Sequence, residues 1–224
     1  MRITAEGIAV VEGDTHLSKW IEEQKTLEVA AGFCRLFSRY IPEGGVVYDI
    51  GACLGDHTAT YSKMVGDNGF VYAFEPNKPA LACLSHNMRL YPNVAVLPFA
   101  LGENQSTGKF RPSLTQHENL GASQLVEGNE IEVRSLDSLS LAPSNFIKID
   151  AEGWEPRVIK GGIKTIAKSM PVILVEVNRP ILKVFGFTDR DIFGPLSSLG
   201  YRFEPCEPHL SIQDDQTDVL CLPN

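Results

Sequence analysis

The chain lacks the features that would place it outside ordinary globular proteins. No run approaches the roughly 18 apolar residues of a membrane span, and the opening MRITAEGIAVVEGDTH has no charged head followed by an apolar signal core. The five cysteines, Cys34, Cys53, Cys83, Cys206 and Cys221, are scattered, odd in number and without a C-x-x-C pair. That usage argues against a disulfide framework or a thiolate zinc site and for a reducing, cytoplasmic setting. No His pair has metal-ligand spacing. No stretch gathers Lys and Arg into a stripe, and acidic residues exceed basic ones by 28 to 20, which disfavours a nucleic-acid partner. Aromatic and basic residues do not interleave as a single-strand platform would require. Internal repeats and low-complexity tracts are absent, which removes solenoids and propellers.

What is present fits one domain of the larger sort: 224 residues, 43% hydrophobic and 21% charged. Residues 1 to 13 read as a short hairpin or strand. From Asp14 an amphipathic helical period runs to Pro42, with a break expected near Gly32. Residues 1–44 therefore form an N-terminal strand and helix extension. Residues 45–224 form the main domain, with an insertion at about 102–143 lying over the sheet edge or the active site.

Five apolar runs, VVYDIG, FVYAFE, VAVLPFA, FIKIDA and VILVEV, alternate with helix-compatible stretches at about 55–65, 77–90 and 155–168. Continuous Val, Ile and Phe runs are strands buried on both faces, as in a parallel sheet covered by helices. Pieces near Tyr201–Glu204 and Asp218–Leu222 fit an antiparallel edge hairpin. The expected fold is α/β: a doubly wound, mostly parallel seven-stranded sheet of Rossmann-like type.

In such a sheet, ligands bind beyond the carboxyl ends of the strands where the strand order reverses. The first strand ends there in Asp49-Ile50-Gly51-Ala52-Cys53-Leu54-Gly55. Gly51 permits a tight turn and close approach to a ligand, and Gly55 lets the following helix pack against the strand. The helix N-terminus offers N–H groups to a ligand carboxylate, and Asp49 is placed to accept from an amine or to fix the loop. A dinucleotide site wants G-x-G-x-x-G, but Cys53 stands at the second glycine. The second strand ends in Glu75, 26 residues after Asp49, where a carboxylate can accept both hydroxyls of a ribose. Asn77 follows as a helix-cap candidate.

DIGACLG resembles the D-x-G-x-x-x-G motif of class I S-adenosylmethionine methyltransferases. FIKIDAEGWEPRVIKGG, the preceding LDSL, the PFALGE exit and VILVEVN narrow the resemblance to the FkbM family, over about 45–180. The resemblance implies S-adenosylmethionine as cofactor. Asp49, Gly51, Ala52 and Gly55 would line the methionyl pocket, Glu75 would hold the ribose with Asn77 beside it, and Ala100 and Leu101 would lie against adenine. It further implies O-methylation of a hydroxyl on a small molecule, natural product or sugar. The N/D-P-P-Y/F element of amino-group methylators is missing, and Asp150–Gly153 stands in its place.

An aliphatic hydroxyl must lose its proton during methyl transfer, which calls for a base or a metal. Asp150 and Glu152 are the candidates for catalysis, and with Glu176 they make an oxygen-ligand set for Mg2+. The plainer reading is that Asp150 and Glu152 cap the helix starting near Trp154. Many FkbM relatives carry an imidazole two residues beyond the Glu176 position, where this chain has Asn178. His57, His16 and His117 are further candidates, each also explained by packing or exposure. Trp20 and Trp154 read as core residues. Expected partners are a small-molecule or glycan acceptor, without nucleic acid or membrane and with homo-oligomer formation left open. The competing readings are a nicotinamide-dependent oxidoreductase, disfavoured by Cys53 and the absence of a Tyr-x-x-x-Lys pair, and an inactive cofactor-binding scaffold.

Overall fold

A computed structural model describes residues 1–111 and 119–224. The chain opens on a two-residue hairpin, β1 (Arg2–Ile3) with β2 (Ala9–Val10). Helices α1 (Leu17–Gln24) and α2 (Ala31–Cys34) follow. The helical period thus breaks at Lys25, which turns left-handed at φ +54°, rather than near Gly32. Thr26 explains the position: its Oγ1 accepts the Glu28 N–H at 3.2 Å, an alternative partner that competes with continued helix. Beyond α2, Phe37 is fully buried and stacks on Phe146 at 5.3 Å, so the extension covers one face of the sheet.

The main winding starts with β3 (Val46–Ile50), α3 (Asp56–Val65), β4 (Phe70–Phe74), α4 (Lys78–Asn87) and β5 (Val94–Leu97). These strands pair in parallel, β3 with β4 and β4 with β5. Pro98, lacking an N–H for the ladder, ends β5 and divides the VAVLPFA run. Its last residue, Ala100, joins Leu101 in β6 (Ala100–Leu101) of a second sheet with β7 (Ser106–Arg111), β8 (Gln124–Glu127) and β9 (Ile131–Arg134), in the order β6-β9-β7-β8.

The chain then returns through β10 (Phe146–Ile149), which joins β3 on the side away from β4. The expected helix at 155–168 is two helices, α5 (Glu155–Gly161) and α6 (Ile163–Ser169), parted at Gly162. After β11 (Val172–Asn178), helices α7 (Arg179–Val184) and α8 (Asp189–Ser198) lead to the hairpin of β12 (Tyr201–Pro205) and β13 (Gln216–Pro223). The seven-stranded order is β12-β13-β11-β10-β3-β4-β5, with β13 antiparallel to both its neighbours. The winding reverses between β3 and β10, which opens a crevice over their carboxyl ends.

Every residue of β10 is buried, including Lys148. The apolar members Phe146, Ile147 and Ile149 are the seam of the core, each contributing about 1.5–3 kcal/mol by leaving water. All five cysteines are free thiols. Among the described residues no helix is long and apolar enough to cross a membrane.

Candidate active site

Two adjacent strand tips meet at the reversal point. Past β3 the chain turns at Gly51, with φ +81°, and a Cβ there would lie 1.8 Å from the Asp150 carbonyl oxygen. Only glycine lets the two loops touch. The Gly51 and Ala52 N–H groups both donate to the Phe74 carbonyl, at 3.1 and 3.0 Å, which fixes the turn to β4. Cys53 is then left-handed at φ +48°, and its N–H donates to Glu75 Oε2 at 2.8 Å. The Asn77 N–H donates to Glu75 Oε1 at 2.7 Å. Glu75 is therefore clamped from both sides while lining the cavity, and each carboxylate oxygen retains a lone pair for a ligand. Burial pushes its pKa up to about 7, against the pull of those two N–H groups.

Gly51, Glu75, Asn77, Ala100, Leu101, Asp150 and Glu152 all face this one cavity. Asp49, Ala52 and Gly55 do not line it. Ala52 is 2% exposed and packs with Leu54 and Ala73, so its side chain faces the core and not the expected pocket. A Cβ on Gly55 would meet Met88 Cε at 2.7 Å and Leu84 Cδ1 at 2.9 Å. Its glycine therefore serves contact with the α4 region, and not with the strand as expected. Asp49 is wholly buried beneath the loop, where Thr58 Oγ1 donates to its Oδ2 at 2.5 Å.

Sequence reasoning gave no role to Lys148, the centre of this arrangement. Its Nζ donates to the Gly51 carbonyl at 3.1 Å, pairs with Asp150 Oδ2 at 3.1 Å and lies 3.8 Å from Asp49 Oδ1. Burial works to lower its pKa, but Asp150, Asp49 and Asp56 outweigh it, and the ammonium is held above its usual range. The signal was legible: a lysine inside a fully apolar strand, next to a strand ending in aspartate, needs a buried partner.

The loop after β10 is shaped by Glu155, which is 1% exposed and accepts the Ala151 and Gly153 N–H groups at 2.9 and 3.1 Å through Oε1. Glu155 thus ties down the loop before α5, which has no side-chain cap, while Asp150 and Glu152 face the cavity. Glu152 is left-handed at φ +53°. Burial, then Asp150 and Glu155, push its pKa up to about 8. Asp150, Glu152 and Glu176 each bring one carboxylate oxygen within 4.8 Å of the others. Glu176 Oε1 accepts Gln216 Nε2 at 2.8 Å, and its Oε2 has no partner among the described residues. Burial, reinforced by Asp150 and Glu152, holds its proton well above the ordinary range.

Of the histidines, His57 lines the cavity and stands 3.4 Å from Asp56. Burial pushes its pKa down to about 4, leaving it neutral. His16 is exposed, and His117 lies outside the described residues. Asn178 caps α7, accepting the Ile181 N–H at 3.3 Å. Trp154 is 7% exposed but also lines the cavity, and its Nε1 has no partner among the described residues. Trp20, expected in the core, is 47% exposed. Phe110 and Leu125 of the second sheet also line the cavity.

This concentration of buried acid sets the direction of the pH dependence of stability. Glu75, Glu155 and Asp218 are pushed up to about 7, and Glu152 to about 8, by burial before any other cause. A carboxyl with a folded pKa above its unfolded value stabilises at low pH, and that contribution is lost as pH rises through the folded value. Neutral His57 has the opposite effect only once pH falls below the unfolded value of 6.5. The melting temperature should therefore rise by several degrees between about pH 8.5 and about pH 6.5, each kcal/mol being worth about 2–4 °C in a chain of this size. A flat or falling scanning-calorimetry profile over that window contradicts the burial of these carboxyls.

The methyltransferase FkbM domain model matches residues 49–203. A search of curated proteins finds no significant match. Among solved structures, a methyltransferase FkbM from Methylobacillus flagellatus KT aligns at TM-score 0.54 and 19% identity, over 79% of this chain and 43% of that one. The chain thus spans less than half the length of that relative. Precorrin-6y C5,15-methyltransferase from Geobacter metallireducens GS-15 aligns at TM-score 0.52 and 14% identity, over 98% and 96% of the two chains. An S-adenosylmethionine-dependent O-methyltransferase from Thermotoga maritima aligns at 0.51 and 11%, over 87% and 64%. These likenesses give the fold, and the family match sets aside the nicotinamide-dependent alternative. The glycine turn, the clamped Glu75 and the IKIDAEG strand exit all fall inside the matched span, and the chain belongs to the FkbM methyltransferase domain family, on the Rossmann-like fold of S-adenosylmethionine-dependent methyltransferases.

Proposed function

We propose that the chain transfers the methyl group of S-adenosylmethionine to a hydroxyl of a small molecule or glycan. The observation that carries this reading is the convergence of Gly51, Glu75, Asp150 and Glu152 on one cavity. Glu75 accepts the ribose hydroxyls, with the Asn77 loop beside it. The Gly51 turn lies against the methionyl portion, and Ala100 and Leu101 against adenine. Asp49, Ala52 and Gly55 act from beneath by fixing the shape of the loop.

In the transfer the acceptor oxygen forms a bond to the methyl carbon while the carbon–sulfur bond breaks, its electron pair returning to sulfur. The acceptor proton must leave as the oxygen attacks. Asp150 is paired with Lys148 at 3.1 Å, so the proton goes to Glu152 in its ionised form, whose share grows as pH rises toward about 8. The three-carboxylate set, with the unpartnered Glu176 Oε2, also suits a hard divalent cation such as Mg2+. Held by Asp150, Glu152 and Glu176, the cation would supply Lewis acidity toward the acceptor hydroxyl.

Glu152→Gln should lower kcat about 100-fold or more, in the range for loss of a general base, while S-adenosylhomocysteine affinity stays within about twofold. Turnover is measured with labelled S-adenosylmethionine across a panel of hydroxylated acceptors, and affinity by calorimetry. Wild-type turnover by the Glu152→Gln enzyme would remove Glu152 as base. Methyl incorporation into amines alone would remove the hydroxyl acceptor. Dialysis against a chelator followed by Mg2+ addition separates the two acid–base schemes: recovery that depends on both Mg2+ and Glu176 assigns the cation.

A further inference from the structure

A second chemical character lies beside the acidic floor of the cavity. Trp154, which lines the cavity, meets Phe185 edge to face at 6.2 Å. The Arg157 guanidinium sits 4.0 Å over the Trp154 ring and 5.5 Å from Phe187. The Arg111 guanidinium lies 5.4 Å over the Phe185 ring, one residue after Phe110, which also lines the cavity. Both arginines are half-buried. The other two half-buried arginines, Arg134 and Arg179, are paired with Glu132 and Asp189. Arg111 and Arg157 have no carboxylate partner among the described residues, although the chain carries an excess of acid. Arg111 uses Nε and Nη2 on Gln124 Oε1, at 3.1 and 2.9 Å, which orients the fork, and its remaining donors have no partner among the described residues. The Arg157 guanidinium is held by ring stacking, with no side-chain hydrogen bond among the described residues.

A guanidinium stacked on an aromatic ring is already positioned for forked recognition of a carboxylate or phosphate. We propose that Arg111 and Arg157, over the Trp154–Phe185 pair, form an acceptor subsite for an anionic group, a carboxylate or a phosphate ester. The assignment deepens the proposed methyl transfer and rests on it. The site is asymmetric: the two guanidiniums beside Trp154 and Phe185 attract the anionic end of an acceptor, while Asp150, Glu152 and Glu176 gather at the other end with no free cation facing them among the described residues. The hydroxyl end is thereby directed to the carboxylates, which gives the orientation that an in-line transfer requires.

The test reads Trp154 emission in a Trp20→Phe protein loaded with S-adenosylhomocysteine, titrated separately with inorganic phosphate and with malonate, with KCl holding the ionic strength constant. A saturable response is expected, weakened about tenfold or more in Arg111→Gln and in Arg157→Gln, the size expected for losing one charge-assisted fork. Midpoints are compared, because Arg157→Gln alters the starting emission. Saturation by phosphate alone assigns a phosphate ester, and saturation by malonate alone assigns a carboxylate. No saturable response to either anion, or unchanged midpoints in the double variant, overturns the subsite. Calorimetry with S-adenosylhomocysteine separates this from the proposed function: cofactor binding without anion binding removes the subsite alone, whereas anion binding without cofactor binding leaves the subsite and removes methyl transfer.

Discussion

Glu75→Gln should weaken S-adenosylhomocysteine binding about 100-fold. The carboxylate presents one oxygen to the Cys53 N–H and the other to the Asn77 N–H, and both oxygens remain able to accept from ribose. Glutamine replaces one oxygen with an NH2 group, so a backbone donor is left facing a donor and a ribose hydroxyl loses its acceptor. Hydrogen bonds to a charged group contribute about 1.5–3 kcal/mol each, and a loss of about 3 kcal/mol is roughly a hundredfold in Kd. Glu75→Asp, with its carboxylate drawn back by one methylene, should lose nearly as much. The measurement is calorimetric titration, with melting temperature as a control. An undiminished affinity in a folded Glu75→Gln protein contradicts the ribose role.

The second large effect concerns Lys148. Lys148→Met keeps most of the side-chain length and removes the ammonium, which leaves Asp49 fully buried with only Thr58 on its Oδ2 and nothing on Oδ1. Breaking a buried pair by removing one partner costs about 3–5 kcal/mol, so the melting temperature should fall by about 10 °C, at about 2–4 °C per kcal/mol. Adding Asp49→Asn to Lys148→Met removes the stranded charge and should restore part of the loss. A single variant that melts with wild type, or a double variant worse than the sum of its parts, would show that the ammonium does not hold the loop. The same substitution should weaken cofactor binding, because Lys148 carries the Gly51 carbonyl and Asp150 on one nitrogen.

Much of the architecture was legible because buried parallel strands write themselves as apolar runs. VVYDI, FVYAF, FIKI and VILVEVN became β3, β4, β10 and β11 nearly as read. The failures were places where a side chain's own hydrogen bond or a close backbone approach overrode the period. Thr26 stopped α1 early, Gly162 split the helix after β10, and Pro98 ended β5 so that the close of one apolar run, at Ala100, joins a different sheet. Strand β8 has too short a run to register against its turn-rich surroundings.

Residue types and spacing singled out Gly51, Glu75, Asp150 and Glu152, which share one cavity, but not the direction of their neighbours' side chains. Ala52 and Gly55 sit in the right motif, yet Ala52 packs into the core and Gly55 makes room for Met88 and Leu84, while the left-handed Cys53 between them lines the cavity. Lys148 and Glu155 stood in a recognised strand exit, yet their importance comes from contacts with residues 97 positions away and with the loop's own N–H groups. Which partner Lys148 finds is set by strand order, which no local pattern encodes, whereas the Glu155 contacts reach two and four residues back and are set by the path of the loop. The Arg111 and Arg157 rim is likewise assembled from elements far apart in the chain.

The central claim is that a glycine turn and a clamped carboxylate on neighbouring strand tips hold the two halves of a sulfonium nucleoside. A crystal structure of the chain with S-adenosylhomocysteine tests it most directly. The ribose hydroxyls should lie within hydrogen-bond distance of Glu75 and the methionyl portion against Gly51, with the sulfur facing Asp150 and Glu152. A nucleoside bound elsewhere, or a ribose that leaves Glu75 untouched, would contradict it.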